Sequence, residues 1–237
     1  MIQRRDTISY MLTNTSRRRW IQMTAALPGL HLPKAEAQQT PNDDALTLLM
    51  AGNERFVAGK TANPGRSPKE YRALAQAQHP KAVVVTCADS RVPPEILFDV
   101  GVGDIFVIRV AGNVIDGAGV MVKGSIEYAI AELNVPLVLV LGHNGCGAVK
   151  AAMKHIDQKD SLPGAINGMV ELIKPAVARS KTQSGDSLEA AIRQNVIVGV
   201  ERLKGLDPII APKVKSGAVK IVGAVYDLST GKVRMIT

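Results

Sequence analysis

The sequence predicts an α/β protein with a central, mostly parallel sheet of four strands, a fifth antiparallel strand at the edge, flanking helices and an N-terminal helical arm. Three observations carry this expectation. The apolar, β-branched run over residues 82–86 stops abruptly at Cys87, Asp89 and Arg91. A second apolar run, residues 135–141, breaks at Gly142 into His143-Asn144-Gly145-Cys146-Gly147. Such runs alternate along the chain with segments whose apolar residues recur at helical spacing, the pattern of parallel strands joined by crossover helices. With 46% hydrophobic residues and only 3% aromatic ones, the core must be aliphatic.

Residues 1–37 read as a targeting leader. Ser16-Arg17-Arg18-Arg19-Trp20-Ile21-Gln22 resembles a twin-arginine export signal; the mildly apolar residues 23–32 follow, and Ala35-Glu36-Ala37 offers a small-x-small cleavage pattern. The expected location is periplasmic or otherwise exported, the alternative being a disordered basic tail on a cytoplasmic protein. Residues 38–237 are expected to form one domain, with a helical arm over 43–80 and the α/β core over 81–237.

Pro41-Asn42-Asp43 supplies capping chemistry for a helix over 43–58, with Leu46, Leu49, Met50 and Phe56 at helical spacing. Ser67-Pro68 starts a second helix, expected to run through Ala77. Both precede the first strand, so the pattern places them outside the sheet or on another subunit. After the first strand, Pro93-Pro94-Glu95 opens a short helix ending near Gly101, since proline suits a first helical turn. Residues 105–110 read as the second strand, 117–119 as a flexible glycine crossing, and Val122, Ile126, Ala129, Ile130 and Leu133 as the apolar stripe of a helix. The third strand is expected over 135–141 and helices over 147–156, 162–180 and 187–204, the last with Leu188, Ala191, Ile192, Val196 and Val200 in register. Residues 218–226 read as the fourth strand, and Ser229-Thr230-Gly231 turns it into a short antiparallel edge strand over 232–236.

The formal net charge of +8 does not imply a nucleic-acid partner. The first 37 residues hold net +4, leaving +4 on the rest, where basic residues show neither aromatic interleaving nor a dense cluster. No apolar stretch approaches the roughly 20 residues of a membrane span.

The two cysteines, Cys87 and Cys146, each fall at the carboxyl end of a predicted strand, where open parallel sheets place their sites. Cys, Cys and His suit Zn²⁺, and a set of three protein ligands leaves a fourth position open, as catalytic zinc requires. Zinc in such a set lowers the pKa of bound water toward neutrality and yields hydroxide. In an extended loop Cys87, Asp89 and Arg91 share a face. A carboxylate paired to a guanidinium stays ionised and can orient that hydroxide; without Arg91, Asp89 could become a fourth ligand and shut the site. The competing readings are a disulfide between the two cysteines and two buried structural thiols. The coincidence of Cys-x-Asp-x-Arg with Gly-His-x-x-Cys-Gly favours zinc.

Cys87-Ala88-Asp89-Ser90-Arg91-Val92-Pro93 and Gly142-His143-Asn144-Gly145-Cys146-Gly147 resemble the two signatures of the β-class carbonic anhydrases. The likeness extends through residues 103–109, Ala111-Gly112-Asn113 and Ser125-Ile126-Glu127-Tyr128, and covers residues 43–237. The resemblance implies reversible hydration of CO₂ to bicarbonate and a proton on one Zn²⁺ per subunit, held by Cys87, His143 and Cys146, with Asp89 and Arg91 as the catalytic dyad. It implies a CO₂ pocket lined by Gln78, Phe106 and Tyr128, as in the plant-like branch, spanning the interface of a homodimer or tetramer, with the first helices as an arm around the partner. In the bicarbonate-regulated branch a Trp, an Arg and a Tyr hold bicarbonate at a second pocket; Arg109 and Tyr226 match two of these, but Val84 stands in the tryptophan's place. His79, beside Gln78, is a candidate proton relay, with His155 a weaker one. The alternatives are a carbon disulfide hydrolase on the same scaffold and a non-catalytic zinc- or thiol-binding protein.

Overall fold

The computed structural model describes residues 40–115, 120–158, 160, 162–183 and 185–237; the expected leader over 1–37 and the glycine crossing at 117–119 lie outside the described residues. Five strands form one sheet: β1 (Ala82–Thr86), β2 (Ile105–Arg109), β3 (Leu137–His143), β4 (Lys220–Tyr226) and β5 (Val233–Met235), in the order β2-β1-β3-β4-β5. All neighbouring pairs are parallel except β4 with β5. Between and around them run α1 (Pro41–Val57), α2 (Pro68–Tyr71), α3 (Pro94–Leu97), α4 (Val120–Ala131), α5 (Gly147–Gln158), α6 (Ala165–Ser180), α7 (Ser187–Lys204) and α8 (Ile210–Lys215). No helix among the described residues is long and apolar enough to cross a membrane.

Every residue of β1 and β3 is buried, as central strands covered on both faces must be. Alternation then divides their side chains. Val83, Val85, Val138 and Val140 pack with Val122, Ile126 and Ile130 of α4 and Val196 and Val200 of α7. Ala82, Val84, Leu137 and Leu139 pack on the other face with Ala45 and Leu49 of α1 and with Leu97 and Phe98. Thus α1 lies outside the sheet, against a face of the sheet of its own chain. Fully burying Leu49 contributes about 2 kcal/mol to that attachment.

Two expectations are corrected. The helix expected over 67–77 is α2 followed by one 3₁₀ turn, Arg72–Ala75, and neither piece buries a residue. Only its start is supported, by the Glu70 carboxylate accepting the Ser67 N–H at 3.0 Å; with no apolar face to pack, propensity alone does not extend it. The third strand is shifted: Pro136 lacks the N–H a ladder needs, so pairing begins at Leu137 and continues through Gly142 to His143, opposite Tyr226. Gly142 is required here because a Cβ would stand 2.6 Å from Val196 Cγ2. The short α8 was not foreseen; Pro212 lies inside it, and Ile210 is its one buried residue.

A buried carboxylate fastens α1 to the core. Asp99 follows α3 with φ 45° and a fully buried side chain, accepting from Arg55 Nε at 2.7 Å, Ala62 N at 2.8 Å and Asn63 N at 2.9 Å. Burial pushes its pKa up, but the Arg55 hydrogen bond and the two backbone N–H groups outweigh this and hold it below the ordinary carboxylate value. Asp99→Ala should therefore cost about 3 kcal/mol, because it leaves a guanidinium and two N–H groups without their acceptor. Urea unfolding with an unchanged m-value checks this. The folded-state pKa is depressed, so the stabilisation is complete above the unfolded pKa of about 3.9 and is lost as pH falls through the folded value. Asp99→Asn should flatten that acid limb.

Candidate metal centre

The centre forms where β1 and β3 end side by side, held by Thr86 Oγ1 donating to the Leu141 carbonyl at 2.9 Å. Cys87 is the residue after β1, His143 is the last residue of β3, and Cys146 immediately precedes α5. Their ligand atoms lie within 4.8 Å of one another, and all three residues are buried. The cysteines are free, so the disulfide reading is set aside. Zinc–ligand bonds of about 2.0–2.3 Å place tetrahedral neighbours roughly 3.5–3.8 Å apart, a small contraction of this cluster.

The local chemistry also fits a cation. His143 Nδ1 lies 2.9 Å from the Asn144 carbonyl. With Nδ1–H donated there, the lone pair is on Nε2, which is buried and has no hydrogen-bond partner. Cys87 Sγ accepts from Gly112 N at 3.3 Å and Asp89 N at 3.4 Å. The neighbouring Cys146, foremost, with His143 and these N–H groups, holds the Cys87 thiol well below its usual pKa against the effect of burial. Cys146, beside Cys87 and buried, is pushed up. Burial works against protonation of His143, but the Cys87 thiolate more than offsets it and raises the imidazole pKa. Metal binding must expel the protons these groups share.

Asp89 stands at the rim. Arg91 donates from Nε to Oδ1 at 2.9 Å and from Nη2 to Oδ2 at 2.7 Å, and its backbone N–H reaches Oδ1 at 3.0 Å. That guanidinium, foremost, holds the Asp89 carboxyl far below the ordinary range. Oδ2 lies 3.8 Å from His143 Nε2. The two loops are braced from behind. Arg109 donates to the Cys87 carbonyl at 3.2 Å and the Asp89 carbonyl at 2.6 Å. Asn144 receives Leu228 N at 2.8 Å, and Glu189 receives Gly145 N at 3.3 Å.

The family profile described as carbonic anhydrase matches residues 82–233. A carbonic anhydrase of Mycolicibacterium smegmatis is 42% identical over 191 residues, covering 81% of this chain and 91% of that one. Carbonic anhydrase 2 of Mycobacterium tuberculosis is 42% identical over 188 residues, covering 79% and 89%. The solved β-carbonic anhydrase CcaA superposes with a TM-score of 0.63 at 28% identity, over 81% of this chain and 95% of that chain. The chain belongs to the β-class carbonic anhydrases.

β-Carbonic anhydrases are zinc enzymes, and this β-carbonic anhydrase has Cys87, His143 and Cys146 positioned for the ion. The other residues singled out from the sequence fall into two places. Asp89 and Arg91 join the cysteines and His143. Phe106 and Tyr128 meet elsewhere, with ring centroids 6.3 Å apart, and line an open cavity of about 390 Å³ together with Val120, Met121, Gly124 and Ser125. Gln78 is exposed in the loop before β1, as is His79, while His155 pairs with Asp160 at 2.7 Å. The braces from Gly112, Glu189 and Asn195 were not foreseen. Asn195 had a signal, since it falls on the stripe of Leu188, Ala191 and Ile192, where a polar residue is out of place.

Proposed function

We propose that this enzyme hydrates CO₂ reversibly to bicarbonate and a proton, with Cys87, His143 and Cys146 as the zinc ligands and Asp89 and Arg91 as an orienting dyad. The observation that carries the reading is the Asp89 carboxylate, ionised, gripped on both oxygens by Arg91 and 3.8 Å from the free nitrogen of His143. Zinc held by these three residues would supply Lewis-acid activation of water, lowering its pKa toward neutrality. Asp89, being ionised, can only accept hydrogen bonds, and so fixes the direction of a donor beside the three ligands. Arg91, with its side chain 58% exposed, restrains Asp89 at the rim and keeps it from turning inward as a fourth ligand. The apolar packing of Val114, Val149, Ile173 and Ile192 around the cysteines keeps the floor of the site dry.

Gln78, Phe106 and Tyr128 are proposed to line the CO₂ pocket, completed by a second copy of the chain. Supporting this, β2 is an edge strand, and beside it Val120 is 79% exposed, Met121 72% and Tyr128 48%. A native mass of one chain would contradict it. The plant-like reading is supported by Arg109, whose guanidinium is engaged with the Cys87 and Asp89 carbonyls, and by Val84, fully buried where the other branch would need tryptophan.

A stopped-flow indicator assay on zinc-quantified protein tests the function: CO₂ hydration should scale with zinc content and rise with pH. Hydrolysis of carbon disulfide without CO₂ hydration would move the substrate, and absence of both would contradict catalysis.

A further inference from the structure

We propose that Asn195 is a positioning residue for the Cys87 thiolate, acting through the two peptide groups of Gly112; this rests on the zinc reading above. Asn195 lies on α7, is 5% exposed, and donates Nδ2 to the Gly112 carbonyl at 2.7 Å. Gly112 sits in the 3₁₀ turn Ala111–Asn113 with φ 72°, and its N–H points at Cys87 Sγ at 3.3 Å. One glycine thus has its carbonyl tied to a helix and its N–H tied to a metal-binding sulfur. The carbonyl and the N–H belong to the two peptide groups flanking one Cα, so tethering the carbonyl limits how far the N–H can swing away from the sulfur. The turn is wedged as well: a Cβ on Gly112 would stand 2.9 Å from Ile173 Cδ1 and 3.1 Å from Ala148 Cβ.

The same helix braces the other ligand loop, since Glu189, six residues earlier, receives the Gly145 N–H. One rigid element, α7, therefore references both loops, and the spacing of Cys87 from His143 and Cys146 is set from it. Hydrogen bonds behind a ligand orient it and tune its basicity, and their loss typically weakens metal affinity by about 10–100-fold.

The test compares wild type with Asn195→Leu, which keeps the branched outline in a somewhat larger side chain but cannot donate, Asn195→Ala, and Val200→Ala, a cavity variant on the same helix away from the turn. Zinc affinity is measured by competition with a chromophoric chelator and by native mass spectrometry of the folded protein. The sulfur-to-metal charge-transfer band is recorded after cobalt substitution. The proposal expects zinc affinity to fall about 10-fold or more in both Asn195 variants, with a shifted cobalt band, while Val200→Ala loses melting temperature but keeps wild-type affinity and spectrum. Wild-type affinity and an unshifted band in whichever Asn195 variant folds, with only the melting temperature lowered, would overturn it. If wild type itself bound neither zinc nor cobalt through sulfur, the zinc reading would fall, and this proposal with it.

Discussion

Cys146→Ser is expected to abolish stoichiometric zinc binding and to lower CO₂ hydration at least about a thousandfold, while leaving the protein folded. The substitution changes one atom, at a position 1% exposed, so packing is nearly conserved. What changes is the donor. Zinc favours thiolate and imidazole donors, and an unionised hydroxyl in the same place is a poor substitute. With two ligands remaining, Cys87 and His143, the ion is no longer retained against a chelator, and water loses its metal activation. Zinc content by mass spectrometry, circular dichroism and stopped-flow rates on one preparation would check all three statements. Full zinc occupancy with normal turnover in the variant would remove Cys146 from the ligand set.

Asp89→Asn should separate the metal from the chemistry: zinc stays bound and kcat/KM falls by about 100-fold, the scale of a misplaced acid–base group. Asparagine keeps the shape and still accepts from Arg91 through one oxygen, but its charge is gone and its amide nitrogen donates where the carboxylate only accepted. The guanidinium, which met two oxygens at 2.7 and 2.9 Å, then faces a group it fits on one side. A variant that retained zinc and hydrated CO₂ at the wild-type rate would show that the carboxylate beside His143 does not orient the reaction.

Why the sheet was legible and the details were not has a physical reason. β1 and β3 are buried on both faces, so their sequences are uninterrupted aliphatic runs, and a run that ends in Cys87 or His143 announces a site at the carboxyl edge. The two cysteines were readable as partners because both fall at such ends. The contact between Gly142 and Val196, which carries β3 through to His143, depends on a helix far along the chain, and no local pattern encodes it. The bracing of the Cys87 and Asp89 carbonyls by the Arg109 guanidinium was not readable either, since a charge at a strand end carries no mark of which backbone it will meet. The packing of α1 turned on Asp99, whose partners at Arg55, Ala62 and Asn63 lie in segments that each look like ordinary solvated surface.

The expected catalysis depends on two thiolates and one imidazole from separate strand ends holding a single zinc. X-ray absorption at the zinc edge of the intact protein measures this directly. Two sulfur scatterers at about 2.3 Å and a nitrogen at about 2.0–2.1 Å are expected, with stoichiometric zinc lost in Cys87→Ser as in Cys146→Ser. A first shell of oxygen and nitrogen alone, or a covalent bond between Cys87 and Cys146 in the same sample, would contradict it.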